Sequence, residues 1–314
     1  MLNKIKRKIK NILIKENIKF YGFWTPNIEK TLFYKILVRN KIFKSNKKYI
    51  FFSTFSKRKE NLSKFSEIKV FFTGENVHDG QLNKIFLEYE DNLIKDVDLS
   101  LGFDYLEHEN YLRFPLWILY LIDTNWSYED IKKRIDEINN PEYRLNNNRT
   151  KFASQISRHD TKGIRKKMIE KINQIEKVDC AGIFMNNTNE LKEKYSDNKI
   201  EYLKTFKFNI CPENSSTKGY VTEKIFEAIF SGCIPIYWGS EGYVEPEILN
   251  KEAFIYFEES KEEQIIEKIK RLWESEEEYK KFISIPPFKK DAAKIIWEKL
   301  KTLDRKFKEL ENNK

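Results

Sequence analysis

The segment 206–239, FKFNICPENSSTKGYVTEKIFEAIFSGCIPIYWG, constrains the fold of this chain more strongly than any other segment. It opens with an apolar, aromatic run that is typical of a buried strand, and the polar residues 212–219 that follow cannot continue that strand. Apolar residues then recur at helical spacing from Val221 to Phe230, and Gly232 stands where a helix would end. A second apolar run closes the segment. Strand, polar loop, helix and strand form a βαβ unit, which predicts a parallel α/β fold with a ligand site at the loop.

Polar side chains gather where the loop of this unit meets its helix, at Asn214, Tyr220, Glu223 and Lys224. Free N–H groups and the helix dipole favour an anion at a helix N-terminus, and Lys224 adds a full positive charge. Glu223 can accept two hydroxyl hydrogen bonds, as a ribose diol would offer. The pattern fits a nucleotide phosphate site, and it fits an ordinary helix start with a solvated Glu–Lys pair equally well.

The length of 314 residues is long for one domain and comfortable for two. The formal net charge of +9 suits an anionic partner, which leaves nucleic acid, an acidic membrane surface and a phosphorylated substrate as candidates. The sequence contains no RNA-binding motif, zinc-finger spacing or basic leucine zipper. The three cysteines are far apart within apolar runs, so we expect reduced core residues in a reducing compartment.

The sequence pattern predicts an amphipathic helix at both ends of the chain. Residues 1–19 are basic with apolar residues at helical spacing, which fits a terminal helix that packs loosely or one that lies on an anionic membrane surface. Residues 292–310 form a charged amphipathic helix after Pro286-Pro287, suited to packing across domains or touching a membrane. Because no apolar segment reaches membrane-spanning length, we expect a soluble or peripheral protein.

Two further side chains occupy positions suited to a site. Glu75 follows the predicted strand 68–73 and a glycine, at the rim where open α/β sheets place their ligands. Arg165 lies near the start of the predicted helix 161–175, where a guanidinium can grip phosphate through two hydrogen bonds. A solvated loop carboxylate and an ordinary surface arginine remain the alternatives. Asp96-Val97-Asp98 has the form of a metal–nucleotide motif, but it precedes a strand instead of ending one, so we predict no metal site there.

Together these segments resemble the α-1,3-fucosyltransferases of glycosyltransferase family 10, over residues 68–258. The most specific part is CPENSSTKGYVTEKIFEAIFSGCIPIYWGS, and the other matching segments are FFTGEN, LGFDYL with YLRFPLW, KFASQIS, GIRKKMIEKI and VDCAGIFMNN, in this order. The resemblance implies an α/β fold of the GT-B type, with two Rossmann-like domains facing a cleft. With the Asn-rich, proline-broken segment 139–151 as the linker, the predicted domains are an acceptor-binding domain, a GDP-fucose domain and a C-terminal amphipathic helix, at 1–150, 151–288 and 289–314.

The resemblance also implies a role for each candidate residue. Glu75 matches the general base, Arg165 and Lys224 match the pair that contacts the donor diphosphate, and Asn214, Tyr220 and Glu223 match donor-pocket residues. Glu223 is the expected ribose partner. The segment Arg158-His159-Asp160 departs from the Asn-containing sequence of the family, and the first 65 residues match too loosely for any role to be carried over.

These roles agree with the chemistry that fucosyl transfer needs. An α-linkage formed from GDP-β-L-fucose requires inversion at the anomeric carbon, which one displacement accomplishes when a carboxylate deprotonates the attacking hydroxyl. Lys224, Arg165 and helix N–H groups would meet the charge on the leaving GDP, so we predict no metal and no cofactor.

The resemblance therefore implies an inverting α-1,3-fucosyltransferase. Its partners are GDP-fucose and an oligosaccharide acceptor, which contains GlcNAc or glucose and belongs to a bacterial surface glycan such as lipopolysaccharide. We expect it in the cytoplasm or peripherally on the inner membrane, without nucleic acid. The alternatives are a GT-B transferase that uses another GDP-sugar and, from a different class, a basic nucleic-acid-binding protein.

Overall fold

The computed structural model describes residues 17–23, 31–39, 48–55, 62, 65–81, 83–123, 126–145 and 149–313. The chain divides into two compact units, which are described separately. The first unit contains Met1–Asn125 and Trp297–Lys314, and the second contains Trp126–Ile296. The predicted amphipathic helix at 1–19 lies almost entirely outside the described residues.

The first unit is built on a five-stranded parallel sheet whose strands follow chain order. Its strands are β1 (Ile18–Tyr21), β2 (Tyr49–Phe52), β3 (Ile68–Phe72), β4 (Leu99–Gly102) and β5 (Tyr111–Arg113), and its helices include α1 (Leu32–Arg39), α2 (Leu116–Leu121) and the 3₁₀ helix Lys84–Tyr89. The central strands are apolar on both faces, as buried parallel strands are, with Phe51, Phe71 and Phe72 fully buried.

The C-terminal helix completes the core of the first unit. This helix, α11, spans Ala292–Asn313, and its residues from Trp297 onward belong to that unit. The ring of Phe307 is fully buried, with its centroid 6.2 Å from that of Tyr49 and 6.3 Å from that of Phe51. The hydroxyl of Tyr49 donates a 2.7 Å hydrogen bond to Oε1 of Glu311. Strand β2 is therefore packed against residues about 250 positions later in the chain.

The second unit contains another five-stranded parallel sheet, with the order β10-β9-β8-β6-β7. Its strands are β6 (Lys151–Gln155), β7 (Val178–Cys180), β8 (Phe206–Ile210), β9 (Ile234–Tyr237) and β10 (Ile255–Tyr256). Its α-helices are α3 (Tyr128–Asn139), α4 (Pro141–Leu145), α5 (Ile164–Ile172), α6 (Glu190–Glu193), α7 (Lys199–Leu203), α8 (Glu223–Ser231), α9 (Glu262–Glu274) and α10 (Glu276–Ile283), and short 3₁₀ helices span Ser240–Gly242, Lys251–Ala253 and Glu259–Lys261.

The strand order of the second sheet fixes where a ligand crevice can form. From β6 the chain proceeds to β7 on one side, and from β7 it returns to β8 on the other side of β6. Such a reversal opens a crevice at the carboxyl ends of the two strands where the order changes. In this sheet that crevice lies between β6 and β8.

The predicted βαβ unit is confirmed. Strand β8, helix α8 and strand β9 follow one another in the predicted order, and β8 pairs with β9 in parallel. Gly232 ends α8 with a φ of 83°, in the left-handed region that glycine adopts readily. The prediction of reduced core cysteines also agrees with the structure, since Cys180, Cys211 and Cys233 are all buried and unbridged.

The predicted linker at 139–151 is wrong. The side chain of Asn139 exchanges two hydrogen bonds with the backbone of Phe288, at 2.9 and 3.0 Å. The guanidinium of Arg144 is buried and donates to the carbonyls of Ile283 and Ile285. These contacts make the segment part of the second unit.

The division of the chain accordingly differs from the predicted domains. The boundary falls between residues 125 and 126, ahead of the predicted 150/151. The predicted C-terminal segment 289–314 is split, because residues 289–296 belong to the second unit and residues 297–314 to the first. Among the helices of the described residues, none is long and apolar enough to cross a bilayer.

We expect Gly232→Ala to destabilise the protein more than Gly163→Ala does. Both glycines have left-handed φ angles, 83° and 76°, which cost other residues about 1–2 kcal/mol. A Cβ at Gly232 would overlap Nη2 of the buried Arg149, whereas a Cβ at Gly163 meets nothing within 4 Å. Because the guanidinium must also move, Gly232→Ala should lower the free energy of unfolding by about 3–5 kcal/mol in total.

Urea denaturation of both variants and the wild type measures this difference. The backbone cost is common to the two variants, so the excess for Gly232→Ala reports the contact with Arg149. If the free energy of unfolding falls equally in the two variants, the contact with Arg149 contributes nothing to the difference in stability.

Candidate functional site

A pocket of about 400 Å³ opens at the predicted crevice between β6 and β8. It is lined by the ends of these strands and by α5, α7 and α8: Gln155, Ile156, Arg165, Lys199, Leu203, Asn209, Ile210, Cys211, Pro212, Glu223, Lys224 and Glu227. Three predicted donor-site residues, Arg165, Glu223 and Lys224, are therefore brought together in one pocket.

The loop between β8 and α8 is held by the buried carboxylate of Glu213, which is fully excluded from solvent. Its Oε1 accepts hydrogen bonds from the backbone N–H of Thr222 (2.8 Å) and the hydroxyl of Tyr237 (3.1 Å). Its Oε2 accepts from Oγ1 of Thr222 (2.7 Å) and Nζ of Lys224 (3.0 Å). A buried carboxylate needs such donors, and here they come from the loop end, α8 and β9. Glu213 therefore fixes the loop to the start of the helix.

Lys224 is the cation at the helix start. Its Nζ donates to Oε2 of Glu213 at 3.0 Å and to Oγ1 of Thr222 at 2.7 Å, and it lies 3.6 Å from Oε1 of Glu223. Burial lowers the pKa of this lysine, but the two carboxylates outweigh burial and raise the pKa above its usual value. Lys224 therefore stays charged, and it lines the pocket with its side chain 21% exposed.

Arg165 supplies a second cation from the first turn of α5. Its side chain is buried, and its guanidinium donates to the carbonyl of His159 and to Oδ1 of Asn214. Burial lowers the pKa of Arg165, while nearby Glu213 opposes the shift. The bond to Asn214 joins α5 to the loop that Glu213 holds, so the two cations are fixed to one another through the loop.

The remaining predicted donor residues have different surroundings. Glu223 is the first residue of α8 and lines the pocket. Burial raises the pKa of Glu223, but Lys224 and the backbone N–H of Glu223 outweigh it, so the pKa lies below its ordinary value. Tyr220 is 2% exposed, and its N–H donates to the carbonyl of Thr217 at 2.9 Å. Tyr220 does not line the pocket. Its backbone hydrogen bond to Thr217 lies within the loop between β8 and α8.

The start of α8 has no side-chain cap from its N-cap residue. Thr222 is the N-cap residue, but its hydroxyl bonds to Glu213 and makes no capping bond to the helix. A helix N-terminus without a side-chain cap, next to two fixed cations, is suited to bind a phosphate or diphosphate. The arrangement supports the nucleotide-phosphate interpretation of this segment over that of a solvated Glu–Lys pair.

Sequence reasoning missed three residues of this site. Glu213 lay within the predicted turn, and nothing local indicated that its carboxylate would be buried. Lys199 and Glu227 form a pair in the pocket, with Nζ 3.3 and 3.4 Å from the two carboxylate oxygens. A signal for Glu227 was present, because the spacing of four places it on the same helix face as Glu223.

Glu75 lies in the first unit, apart in the chain from the other five candidates, which belong to the second unit. It follows β3, and the hydroxyl of Thr73 holds the turn by donating to the carbonyl of Glu75 (2.8 Å) and accepting from its N–H (3.1 Å). Its side chain is half-buried. The structure thus places Glu75 at the carboxyl end of a parallel strand, as predicted.

A charged pair stands in the same part of the first unit. Nε2 of His78 lies 2.9 and 3.0 Å from the two carboxylate oxygens of Asp104, and Nδ2 of Asn92 donates to Asp104 at 2.7 Å. The bond from Asp104 raises the pKa of His78, and burial only partly opposes it. Asp104 follows β4 as Glu75 follows β3, so both loops lie at the carboxyl edge of this sheet.

The Asp-x-Asp motif is a structural element. Asp96 and Asp98 precede β4, and Oδ2 of Asp98 accepts a 2.8 Å hydrogen bond from the backbone N–H of Lys69. Within the described ranges, no group of three or more His, Cys, Asp or Glu side chains is arranged to hold a metal ion.

Comparison with known proteins gives two family matches. The family model for the C-terminal region of glycosyltransferase family 10 (fucosyltransferase) matches residues 145–302. The model for the N-terminal domain of the alpha-(1,3)-fucosyltransferase FucT matches residues 18–120. The boundary between the two matches, at 120–145, includes the division between the two units.

The individual relatives have low sequence identity to this chain. Alpha-(1,3)-fucosyltransferase FucT of Helicobacter pylori is 29% identical over 220 residues, which are 60% of this chain and 40% of that protein. Alpha-(1,3)-fucosyltransferase B of Drosophila melanogaster is 29% identical over 92 residues, which are 29% of this chain and 21% of that protein. The matches thus span less than half the length of these relatives.

Solved structures share the fold. A crystal structure of an α1,3-fucosyltransferase has a TM-score of 0.61 at 23% identity and covers 92% of this chain and 89% of that chain. One with GDP-fucose has a TM-score of 0.59 at 23% identity and covers 91% of this chain and 89% of that chain. This likeness and the two parallel sheets confirm the predicted α/β fold of the GT-B type.

We expect Glu213→Gln to lower the free energy of unfolding by about 3–5 kcal/mol, the usual cost of breaking a buried charge pair. The amide has one acceptor oxygen, so its NH₂ group would face the donors Thr222 and Lys224. Glu201→Gln is the matched control, because Glu201 pairs with Lys204 at 2.6 Å but is half exposed. The control should change stability by less than about 1 kcal/mol.

Denaturation curves of the two variants, monitored by tryptophan fluorescence, measure this difference. A loss for Glu213→Gln no larger than that for Glu201→Gln would show that the buried carboxylate does not hold the loop.

We expect His78 and His159 to titrate on opposite sides of the ordinary pKa of 6.5. Asp104 raises the pKa of His78, whereas burial, Arg165 and Lys224 lower that of His159. Because the folded-state pKa of His78 is raised, its stabilising contribution is complete below pH 6.5 and is lost as the pH rises through the folded-state value.

An NMR titration of the three histidine rings measures the pKa values of His78 and His159. Asp104→Asn should return the pKa of His78 toward 6.5 while leaving that of His159 unchanged. A pKa of His78 at or below that of His159 would contradict the assigned contacts.

Proposed function

The chain belongs to glycosyltransferase family 10, and on this premise we propose that it transfers L-fucose from GDP-β-L-fucose to a saccharide hydroxyl as an inverting α-1,3-fucosyltransferase. The observation that carries this proposal is the pocket in which Arg165, Glu223 and Lys224 meet at the start of α8. A nucleoside diphosphate presents two phosphates and a ribose diol, and these residues offer two cations and a carboxylate.

In this proposal the second unit binds the donor. Lys224 and Arg165 contact the diphosphate together with the N–H groups at the start of α8, and Glu223 accepts hydrogen bonds from the ribose hydroxyls. Asn214 orients Arg165 through the bond between their side chains. Tyr220 acts by shaping the loop, since it is buried outside the pocket lining.

The transition state resembles an oxocarbenium ion leaving a diphosphate. Negative charge builds on GDP as the bond breaks, and cations already in position stabilise it without reorganisation. Both cations here are held by hydrogen bonds to groups of the protein itself. We propose that they provide the charge neutralisation that a metal provides in other transferases, so that the reaction needs no metal or cofactor.

Glu75 is the proposed general base. It deprotonates the acceptor hydroxyl as that oxygen attacks the anomeric carbon, and the β-linked donor yields an α-linked product. Its support is its position after β3, in a loop that the hydroxyl of Thr73 holds in place. The proposed acceptor is a GlcNAc- or glucose-containing saccharide of a bacterial surface glycan, such as lipopolysaccharide with Lewis-type structures.

A peripheral contact with the inner membrane remains part of the proposal. Helix α11 does not supply it in this state, because Leu300, Leu303 and Phe307 on its apolar side are buried in protein. The contact would therefore depend on the basic segment 1–19. A vesicle-flotation assay with anionic and neutral lipids, with and without this segment, tests it.

The function itself is tested by incubating purified protein with GDP-fucose and a panel of N-acetyllactosamine-type acceptors. GDP release and an α-linked fucosyl product, identified by NMR, are the expected results. Competition among GDP-sugars for binding identifies the donor. If the protein neither binds GDP nor releases it from GDP-fucose with any acceptor, the proposed substrate is wrong.

We expect Glu75→Gln and Lys224→Met to affect different steps. Glu75→Gln should lower kcat by roughly 100-fold or more and leave GDP affinity unchanged, because the base acts only in the chemical step. Lys224→Met should weaken GDP binding by roughly 10- to 100-fold, the effect of one lost hydrogen bond to a charged group.

Steady-state kinetics and calorimetric titration with GDP measure the two effects separately. Glu88→Gln is a control for Glu75, because Glu88 is an exposed carboxylate of the same unit. Unchanged kcat in Glu75→Gln would remove Glu75 as the base, and unchanged GDP affinity in Lys224→Met would remove Lys224 from the phosphate site.

A further inference from the structure

Part of the pocket has no role in the proposed function. Beyond the cations and Glu223, it is lined by Lys199 from α7 and Glu227 from α8. Glu227 stands four residues after Glu223, which is one helical turn and about 6 Å along the axis of α8. The two carboxylates therefore form a short row on the helix face that lines the pocket.

Glu227 is arranged to accept further hydrogen bonds. Its side chain is 19% exposed, and its interaction with Lys199 is long, at 3.3 and 3.4 Å, near the limit for a hydrogen bond. A carboxylate has about four lone-pair sites, so this ammonium leaves acceptor capacity on both oxygens. Burial raises the pKa of Glu227, and the charge of Lys199 opposes that shift by favouring the ionised form, which accepts hydrogen bonds only.

Four charged residues that line the pocket match the parts of a nucleoside diphosphate, with Arg165 from α5 and the other three from α8. Lys224 and Arg165 suit the diphosphate, Glu223 suits the ribose hydroxyls, and Glu227 comes next, one turn along the helix. We propose that Glu227 recognises the nucleobase of the donor as guanine, by accepting hydrogen bonds from its ring N1–H and its 2-amino group. This inference rests on the proposed function, since it takes the pocket to be the donor site.

Guanine is the base that an acceptor-only group selects. It presents two adjacent donors, the ring N–H and the amino group, and a carboxylate can accept from both. Adenine and cytosine place an acceptor nitrogen beside their amino group, and uracil places a carbonyl on each side of its ring N–H. For these bases a carboxylate at Glu227 would face at least one lone pair, which is repulsive in a partly buried site.

The test compares diphosphates that differ only in the base. Calorimetric titrations of the wild type with GDP, inosine diphosphate, xanthosine diphosphate, ADP and UDP should show a preference for GDP. Inosine diphosphate lacks the 2-amino group and should bind roughly 10-fold more weakly or worse. In Glu227→Gln the GDP affinity should fall roughly 10- to 100-fold, and the ratio of GDP to inosine diphosphate affinity should approach one.

Xanthosine diphosphate gives the complementary result. Its base carries a carbonyl in place of the 2-amino group, and the amide N–H of Glu227→Gln can donate to that carbonyl. The affinity for xanthosine diphosphate should therefore rise in this variant while that for GDP falls. Glu201→Gln, which removes a lysine-paired carboxylate on α7 outside the pocket lining, should retain the preference of the wild type.

Ratios of affinities within one variant do not depend on the folded fraction of the sample, so partial unfolding cannot imitate the result. If Glu227→Gln keeps the wild-type ratios among the purine diphosphates, Glu227 does not recognise the base and this inference fails. If the wild type binds no nucleoside diphosphate at all, the proposed function fails as well. The two failures are therefore distinguishable.

Discussion

The arrangement of the site depends on one fully buried carboxylate, that of Glu213. Its four donors come from the end of the loop, the first turn of α8 and strand β9, and its own N–H donates to the carbonyl of Trp238 at 2.9 Å. Any movement of the loop away from the helix would leave this charge buried without partners, which is among the most destabilising events in a protein interior. The loop therefore has one low-energy position, although its sequence is polar and rich in serine.

This constraint extends to the cations through shared partners. Lys224 bonds to Glu213 directly, and Arg165 bonds to Asn214, the residue next to Glu213 in the chain. The positive charges are thus held in place by groups of the protein. Stabilising a leaving diphosphate requires this kind of preorganisation, because dipoles that must first reorient lose much of their effect. The net charge of +9 has little to do with this local arrangement.

Much of the fold and part of the site could be predicted from the sequence. The period of the apolar residues in 206–239 was enough for β8, α8 and β9. A strand–loop junction indicated Glu75, and a loop–helix junction indicated Glu223 and Lys224. The segment 139–151 was misinterpreted because polar composition usually indicates exposure. Its Arg144 and Arg149 are instead buried against carbonyls of Ile283 and Ser231, which are 139 and 82 residues away. The burial of Glu213 likewise depends on Tyr237, and no local pattern encodes such distant partners.

The division of the first unit by the second has a consequence for synthesis. The second unit is one continuous stretch of chain, Trp126–Ile296, so all its strands have emerged from the ribosome before the residues of α11 that belong to the first unit. Strands β1 to β5 are made before the second unit, yet Phe51 and Tyr49 lack the Phe307 side of their core until α11 has been made. The sheet of the first unit therefore completes its core only after the second unit has been made, and until then its aromatic strands are exposed to aggregation.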